Sequence, residues 1–366
     1  MMEKVKIGII GCGNISPIYF KNCIEVFEIL EVKACADIVF ERAKAKAEEY
    51  GIKAYTVEEM LNDDEIEIIL NLTTPNAHFS VCDAALDAGK SVHTEKPLSV
   101  LFEEGKALVK KANEKKLLLG AAPDTFLGAG IQTCRKLIDD GWIGQPIGAT
   151  AFMLCPGHES WHPAPQFYYK KGGGPMFDMG PYYLTALVNL LGPVESVAGS
   201  VSMTRKQRII TSKPLAGTVM DVEVPTHVTG LLNFKNGAIG TIVTSFDVFG
   251  GNVPFIEIYG TEGSLSVPDP NVFGGPVKVK IRRNEWTEVP LTHMYRDNSR
   301  GIGVADMAYA LKTGRKNRCS GELACHVLEI MHGIHIASDT KSNYVLETTC
   351  ERPQPLPSNP MHGRLE

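Results

Sequence analysis

Short apolar runs alternate with segments of helical periodicity along the first third of the chain. The apolar runs predict buried strands at Val5–Ile10, Glu31–Asp37, Ile66–Leu72 and Ser91–Thr94. The segments with helical patterns are Ile18–Leu30, Phe40–Tyr50, Ala77–Ala88 and Leu101–Lys115. Strands that alternate with helices form βαβ units, so this part of the chain predicts an α/β fold with a doubly wound parallel sheet.

From about residue 123 the hydrophobic pattern changes to that of paired strands. The predicted strands are Pro146–Leu154, Thr226–Phe234, Ala238–Phe246, Phe255–Tyr259 and Ser264–Val267, and the predicted helices are Ile131–Asp140, Gly303–Lys312 and Gly321–Ser338. Asn236-Gly237 lies between two alternating runs, which is the strongest short signal for a hairpin. Successive hairpins predict an antiparallel sheet with one face in the core and the other covered by a partner subunit or by solvent.

These patterns divide the sequence into three parts. We predict a first domain over residues 1–122, a second α/β domain over residues 123–345 and an extended tail over residues 346–366. The segment from Arg352 onward is rich in proline and is expected to be extended or disordered. The length of 366 residues agrees with two domains.

Composition and charge exclude several classes of function. Hydrophobic residues make up 44% of the chain and charged residues 22%, as in an ordinary folded protein. The net charge is −5 and no basic stripe is present, so binding to nucleic acid is not expected. The sequence shows no polybasic anchor, no apolar run of about 20 residues and no signal peptide, so we expect a soluble cytoplasmic protein without a membrane partner.

The cysteines agree with a reducing compartment. There are nine of them, scattered along the chain and never in Cys-x-x-Cys spacing. A disulfide framework is therefore not expected, and neither is a bound metal ion.

A glycine-rich turn follows the first strand. Its sequence, Gly11-Cys12-Gly13-Asn14-Ile15-Ser16, matches Gly-x-Gly-x-x-Gly except at Ser16. Gly11 permits the tight turn, Gly13 lets the backbone approach a pyrophosphate, and the next helix directs its N-terminal N–H groups at the phosphates. Asp37 ends the second strand, where a carboxylate binds ribose hydroxyls and repels the extra phosphate of NADP. The pattern predicts a Rossmann domain that binds NAD rather than NADP, with a helix cap as the alternative role of Asp37.

The carboxyl ends of the next two strands carry polar segments, which a doubly wound sheet places at its ligand crevice. Thr73-Thr74-Pro75-Asn76-Ala77-His78 follows one strand, and Glu95-Lys96-Pro97 follows the other. We expect both segments to line the cofactor site, although His78 could also be an ordinary residue at a helix start. Lys96 precedes a proline, so its backbone is extended and directs the ammonium group into the crevice; the alternative is a solvated surface lysine.

These motifs together carry a family resemblance. The glycine-rich turn, Thr74-Pro75-Asn76 with His78, Ala88-Gly89-Lys90 and, most specifically, Glu95-Lys96-Pro97 resemble the glucose–fructose oxidoreductase, inositol dehydrogenase and rhizopine-catabolism (Gfo/Idh/MocA) family, to about residue 340. The resemblance implies an NAD(P)-binding Rossmann domain followed by an α/β domain with a large, mostly antiparallel open sheet. That sheet often forms the oligomer interface, so a homodimer or homotetramer is expected. The implied substrate is a hydroxyl of a sugar, a cyclic polyol or a derivative.

A second glycine-rich segment, Gly172-Gly173-Gly174-Pro175-Met176-Phe177-Asp178-Met179-Gly180-Pro181-Tyr182-Tyr183, resembles the family signature Gly-Gly-x-x-x-Asp-x-Gly-x-His. Tyr182 stands where the histidine would be, and Thr185 stands where an acidic residue is frequent, which is similar to the tyrosine-type branches. The resemblance implies that Asp178 contacts the substrate and that Tyr182 exchanges the hydroxyl proton. Because a phenol has a pKa of about 10, we expect the ammonium of Lys96 to lower it.

The local geometry of this segment leaves alternatives open. Asp178 and Tyr182 are four residues apart, which would place them on one helix face, but Pro181 indicates that the helix begins near it. Asp178 could instead cap a helix, and Tyr182 could be a core aromatic residue.

A polar and aromatic segment, Gly157-His158-Glu159-Ser160-Trp161-His162-Pro163, precedes the second glycine-rich segment. We expect His158, Trp161 and His162 to bind a sugar, since aromatic faces stack on C–H surfaces and imidazoles bind hydroxyls. A plain loop is the alternative, and the spacing and Pro163 argue against a zinc-protease helix. Arg300 and Asp306 could also reach the site.

Three hypotheses about function follow. The first is an NAD(P)-dependent dehydrogenase that acts on a carbohydrate or polyol. The second is a lyase or glycosidase that oxidises its substrate transiently and regenerates NAD in each turnover. The third is a sensor that binds NAD(H) without catalysis, against which Lys96, Asp178 and Tyr182 argue.

Overall fold

The computed structural model describes residues 2–358 and 361–366, so that residues 359–360 of the predicted tail lie outside the described part. The first sheet has six parallel strands in the order β3-β2-β1-β4-β5-β6. Their bounds are β1 (Val5–Ile10), β2 (Leu30–Ala36), β3 (Lys53–Tyr55), β4 (Ile68–Asn71), β5 (Ser91–Thr94) and β6 (Leu119–Ala121). The order reverses between β1 and β4, and a doubly wound sheet binds its ligand at such a point. The predicted Rossmann-type sheet is confirmed.

Five helices accompany this sheet: α1 (Ser16–Glu25), α2 (Phe40–Tyr50), α3 (Val57–Asn62), α4 (Pro75–Asp87) and α5 (Phe102–Lys115). The prediction of one helix over Ile18–Leu30 is wrong at its end, since α1 stops at Glu25. The N–H groups of Val26 and Phe27 both donate to the Asn22 carbonyl and close the helix there. Apolar residues of the following turn are buried as well, so hydrophobicity alone could not mark the boundary.

The second sheet has nine strands in the order β16-β15-β14-β13-β7-β12-β11-β8-β17. The elements of this part, in chain order, are α6 (Ala129–Asp139), β7 (Pro146–Leu154), α7 (Pro175–Leu191), β8 (Val194–Ser202), β9 (Gln207–Ile209), β10 (Val219–Asp221), β11 (His227–Phe234), β12 (Ile239–Ser245), β13 (Ile256–Gly260), β14 (Gly263–Val267), β15 (Val277–Ile281), β16 (Thr287–Val289), α8 (Ile302–Thr313), α9 (Gly321–Thr340) and β17 (Tyr344–Val345). The strands β9 and β10 form a separate pair. Neighbours in the large sheet run antiparallel except β7 and β12, which confirms a mostly antiparallel sheet.

Helices cover one face of the large sheet, and the other face is open. Gly199 and Gly230 allow α9 to approach closely, because a Cβ atom at either position would lie within 2.7 Å of Ile334. On the opposite face Leu231 and Ile239 are exposed. The alternating burial along β11 and β12 has the period of two that the sequence predicts.

The described part of the tail is extended and packs against the rest of the molecule. Leu356 and Leu365 are buried. The Tyr295 hydroxyl donates to the Arg364 carbonyl at 2.7 Å, and the Arg364 side chain donates to Glu28 at 2.8 Å. The chain end therefore returns to the end of α1.

Across residues 2–358 and 361–366, none of the helices combines the length and the apolar composition that crossing a membrane would require.

Candidate active site

A cavity of about 620 Å³ lies at the reversal point of the first sheet and extends under the loops of the second domain. Loops after β1, β4 and β5 supply one wall, with Ile15, Thr73, Pro75, His78, Glu95 and Lys96. The other wall includes His158, Ser160, Trp161, Tyr168, Asp178, Met179, Tyr182, Asn271 and Arg300. Residues from distant parts of the chain thus meet at the carboxyl ends of the parallel strands, as such sheets require.

The glycine-rich turn has the geometry of a dinucleotide cradle. Gly11 has a φ of +105°, and a Cβ atom there would lie 2.6 Å from the Leu72 carbonyl carbon. Nothing lies within 4 Å of a Cβ atom built on Gly13, so its backbone faces open space. The Ser16 hydroxyl donates to the Gly13 carbonyl at 2.8 Å and closes the turn in place of the third glycine. The N-terminus of α1 has no side-chain cap, so its N–H groups remain available to a pyrophosphate.

Asp37 lies at the end of the second strand, beside the glycine-rich turn. Its carboxylate accepts one hydrogen bond from the Cys12 N–H and one from the Val39 N–H, both at 2.8 Å. The N-cap of α2 is Val39, so the alternative of Asp37 as the cap residue is wrong. The carboxylate is therefore held beside the glycine-rich turn by one backbone N–H on each of its oxygens.

His78 connects the two polar segments from inside the protein. It is buried, and its Nδ1 lies 2.6 Å from the Pro97 carbonyl oxygen while its Nε2 lies 3.1 Å from that of Thr73. Burial lowers the pKa of His78, although both carbonyl contacts oppose this. The imidazole ring thus contacts both loops and fixes their positions relative to each other. Thr74 and Asn76, by contrast, are exposed and do not line the cavity, and neither does Asn14.

Lys96 is an interior residue of the cavity wall, and the alternative of a solvated surface lysine is wrong. Its Nζ donates to the Asp178 carbonyl at 2.6 Å and to the Asp178 Oδ1 at 3.0 Å. Burial disfavours its charge, but Asp178, Tyr182 and Glu95 outweigh burial and raise the pKa of Lys96 well above its usual value. Burial likewise opposes the charge of Asp178, yet Lys96 and His158 lower the pKa of Asp178 to about 2. The two residues form an ion pair.

Tyr182 belongs to a helix that begins earlier than predicted. The helix α7 starts at Pro175, and Pro181 lies inside it rather than near its start. Asp178 is in its first turn, and Tyr182 follows one turn later with Lys96 Nζ 5.1 Å from its ring centroid. Burial raises the pKa of Tyr182, and the opposing effects of Lys96 and Arg300 are smaller. The lowering by Lys96 that the sequence predicts is present, but burial outweighs it in the protein alone.

The aromatic segment contributes to the cavity unevenly. The His158 Nε2 donates to Asp178 Oδ2 at 3.3 Å. The Tyr168 ring packs edge-on against the His158 ring, with 4.1 Å between the two ring centroids. Trp161 is 61% exposed at the cavity mouth. His162 does not line the cavity, and its Nδ1 accepts a hydrogen bond from the Ala164 N–H.

Glu159 points away from the two histidines of this segment. It pairs with Arg208 and accepts a hydrogen bond from the Tyr169 hydroxyl at 2.6 Å. Within the described ranges, no group of three His, Cys, Asp or Glu side chains is arranged to hold a metal ion.

Sequence reasoning missed several cavity residues. Tyr168 adjoins the aromatic segment and could have been included on that ground, whereas Asn271 follows β14 without any local signal. Arg300 reaches the cavity, as considered from the sequence. Asp306 does not: it is fully buried and binds Arg315 and Arg318, so its part is structural.

Comparison with known proteins identifies both halves of the chain. Residues 5–122 match a family described as an oxidoreductase family with an NAD-binding Rossmann fold. Residues 131–266 match the GFO/IDH/MocA C-terminal domain. Together the two matches cover more than half of the 366 residues.

Individual relatives agree with these matches. An alignment of 307 residues with 1,5-anhydro-D-fructose reductase of Ensifer adhaerens is 29% identical and covers 80% of each protein. Myo-inositol 2-dehydrogenase of Thermotoga maritima is 25% identical over 71% of this chain and 74% of that protein. Two uncharacterised oxidoreductases of Schizosaccharomyces pombe are each 27% identical, over 61% and 56% of this chain, and the alignments span 64% and 56% of their own length.

Solved structures share the fold. An NAD-binding oxidoreductase from Klebsiella pneumoniae superposes with a TM-score of 0.81 at 21% identity, over 93% of this chain and 99% of that one. Levoglucosan dehydrogenase in complex with NADH and L-sorbose superposes with a TM-score of 0.81 at 21% identity, over 95% of this chain and 100% of that one. At sequence identities this low, the similarity to these structures shows a shared fold and nothing further.

Proposed function

Because the chain belongs to the Gfo/Idh/MocA family of oxidoreductases, we propose that it is an NAD-dependent dehydrogenase acting on a sugar, a cyclic polyol or a derivative. The observation that carries this proposal is the meeting of Lys96, Asp178 and Tyr182 in one cavity beside the glycine-rich turn. The names of the reductase and the inositol dehydrogenase among its relatives support the same class of substrate.

The residues of the cavity would divide the chemistry as follows. Bound NAD supplies the acceptor for the hydride that leaves the hydroxyl-bearing carbon. The hydroxyl proton goes to the Tyr182 phenolate as the carbonyl forms, and in the reverse direction the phenol returns it. Lys96 remains an ammonium and donates a hydrogen bond to the reacting oxygen, while Asp178 holds Lys96 and accepts a neighbouring substrate hydroxyl.

The preference for NAD over NADP rests on Asp37. Its carboxylate is fixed by two backbone N–H groups at the end of β2 and would meet the 2′-phosphate of NADP with like charge. We expect the dissociation constant for NADP to exceed that for NAD, and Asp37→Ser to reduce this ratio.

The first experiment is NADH formation by the purified protein across a panel of aldoses, inositols and sugar acids. Net NADH with one compound class is the expected result. Lys96→Ala should reduce kcat by at least about 100-fold while NAD binding stays near that of the wild type. Tight NAD binding with substrate cleavage but no net NADH would instead establish the recycling chemistry, and binding without any turnover would establish a sensor.

We propose that the protein forms a homodimer or homotetramer through the open face of the large sheet. Leu231 and Ile239 are 41% and 55% exposed there, and burial of such side chains against a second copy is favourable. Ile239→Glu should shift the mass measured by light scattering toward the monomer. Unchanged mass in that variant would argue against this face as the interface.

The cytoplasm is the compartment we propose. All nine cysteines are free thiols, and eight of them are buried, as a reducing environment allows.

A further inference from the structure

Arg300 places a cation in the cavity wall that forms no ion pair among the described residues, although the buried Asp124 carboxylate and the Tyr182 hydroxyl are near enough to raise the pKa of its guanidinium. Its Nη1 donates to Asn298 Oδ1 at 2.9 Å and its Nη2 to Asn271 Oδ1 at 3.0 Å, and both partners are neutral amides. In the part of the chain that the structure describes, no carboxylate oxygen accepts a hydrogen bond from this guanidinium. Lys96, the other cavity cation, is paired with Asp178.

The buried arginines elsewhere in the molecule are compensated. Arg135 pairs with Asp139, Arg208 with Glu159 and Asp247, and Arg318 with Asp306. A guanidinium removed from water costs free energy unless an anion meets it. Arg300 is partly buried in the wall of the proposed substrate cavity, and it differs from these residues because amide oxygens, rather than carboxylates, accept its hydrogen bonds.

The backbone around Arg300 is held firmly. The Arg300 carbonyl accepts a hydrogen bond from the Asn22 side chain at 2.8 Å. The next turn is fixed by Asp124, whose Oδ2 accepts the N–H groups of Gly301 at 2.8 Å and Gly303 at 3.1 Å. Two asparagine oxygens then orient the guanidinium, so little side-chain entropy would be lost when a ligand binds.

We propose that the substrate carries an oxyanion, a carboxylate or a phosphate, that pairs with Arg300. A guanidinium fork matches both groups through two parallel hydrogen bonds. The inference rests on the proposed function and narrows it: the substrate is a sugar acid or a sugar phosphate rather than a neutral sugar. Trp161 and Tyr168, which line the same cavity, supply apolar faces for its ring.

The test compares matched ligands on the wild type and on Arg300→Gln. Binding of D-glucose, D-glucuronate and D-glucose 6-phosphate to the complex of protein and NADH is measured by calorimetry, and kcat/KM is measured for those that turn over. We expect one of the two anionic ligands to bind more tightly than glucose, which tells carboxylate from phosphate. Arg300→Gln should weaken the binding of that ligand about 10- to 100-fold and leave the affinity for glucose within about threefold of the wild type. Arg283→Gln, at an exposed position, is the matched control and should change neither the affinity for the anionic ligand nor that for glucose.

Three results would overturn the inference. One is glucose binding as tightly as both anions in the wild type. Another is an equal loss on neutral and anionic ligands in Arg300→Gln, which would mean that Arg300 acts on Tyr182. The third is a loss of NAD binding in that variant, which would assign Arg300 to the cofactor. If anions bind selectively through Arg300 but nothing is oxidised, the inference stands and the proposed dehydrogenase activity fails.

Discussion

At the residue scale, one carboxylate organises the cavity. Both oxygens of Asp178 are engaged, Oδ1 by Lys96 and Oδ2 by His158. With its pKa held at about 2, Asp178 stays ionised at any ordinary pH and keeps Lys96 protonated. A protonated Lys96 can donate a hydrogen bond but cannot accept a proton, which is why the proposed mechanism assigns the proton exchange to Tyr182.

This division of roles predicts an alkaline pH dependence for oxidation. Burial raises the pKa of Tyr182 above 10, and oxidation requires the phenolate, which is a small fraction at neutral pH. We expect kcat/KM for oxidation to rise by up to about tenfold per pH unit between about pH 7 and 10, and carbonyl reduction to stay nearly constant there. Steady-state rates in both directions check this. Tyr182→Phe is the control and should be slow at every pH, whereas a flat wild-type oxidation profile would contradict the assignment.

At the scale of elements, the glycine-rich turn separates folding from binding. A side chain at Gly11 is disfavoured both by the positive φ and by the lack of room for a Cβ atom. At Gly13 a Cβ atom would have no neighbour within 4 Å. Gly11→Ala should therefore lower the melting temperature and weaken NAD binding together, because its methyl group would meet the Leu72 backbone. Gly13→Ala should keep the wild-type melting temperature and weaken NAD binding alone. Thermal unfolding and calorimetry on both variants test this, and equal melting temperatures for the two would refute it.

The N-terminus of α8 predicts a pH-dependent stability. Burial raises the pKa of Asp124 to about 6, although Gly301 and Gly303 donate to it and oppose the rise. The unfolded value is about 3.9, so between these two pH values the folded protein binds more protons than the unfolded chain. Its stability therefore falls by up to about 3 kcal/mol as pH rises through this window.

Asp124→Asn removes this titration and keeps an oxygen acceptor for α8. We expect its melting temperature to exceed that of the wild type at pH 8 and to show no such gain at pH 4. Asp124→Ala loses the acceptor as well and should melt lower than the wild type at both pH values. A gain from Asp124→Asn that is equal at both pH values would contradict the assignment.

The elements differ in how well the sequence predicts them. The strands β1, β5, β7 and β12 were visible because their apolar runs or alternation coincide with their burial. The three-residue strands β3 and β6 are too short to show a period, and β8 is rich in small residues because α9 packs closely on it. The predicted start of α7 near Pro181 is wrong because two prolines lie in this segment, and it is Pro175 that occupies the first turn.

At the scale of the whole molecule, the candidate site is predictable where a motif marks it, either beside the parallel strands or in the second glycine-rich segment that carries Asp178 and Tyr182. Lys96 and Glu95 follow directly from their place after β5. Arg300 and Asn271 reach the cavity through long-range packing of the second domain, which local patterns do not encode. The net direction of the Tyr182 pKa shift is not predictable for a related reason, since burial depends on the folded surroundings and the sequence reveals only the neighbouring charge of Lys96.

The chain end couples the two halves of the molecule. Leu365 is fully buried. Its neighbour Arg364 pairs with Glu28, near the end of α1, and its other neighbour Glu366 pairs with Arg315, after α8. Leu365→Ala should lower the free energy of unfolding by about 2–5 kcal/mol, because a buried side chain leaves a cavity.

Denaturant unfolding measures this loss, with Met361→Ala as the control. Met361 lies in the same short segment but is 67% exposed, so its removal should change stability by less than about 0.5 kcal/mol. Equal stabilities of the two variants would mean that the chain end does not contribute to the fold. A loss confined to Leu365→Ala would show that the buried side chain at the chain end stabilises the fold.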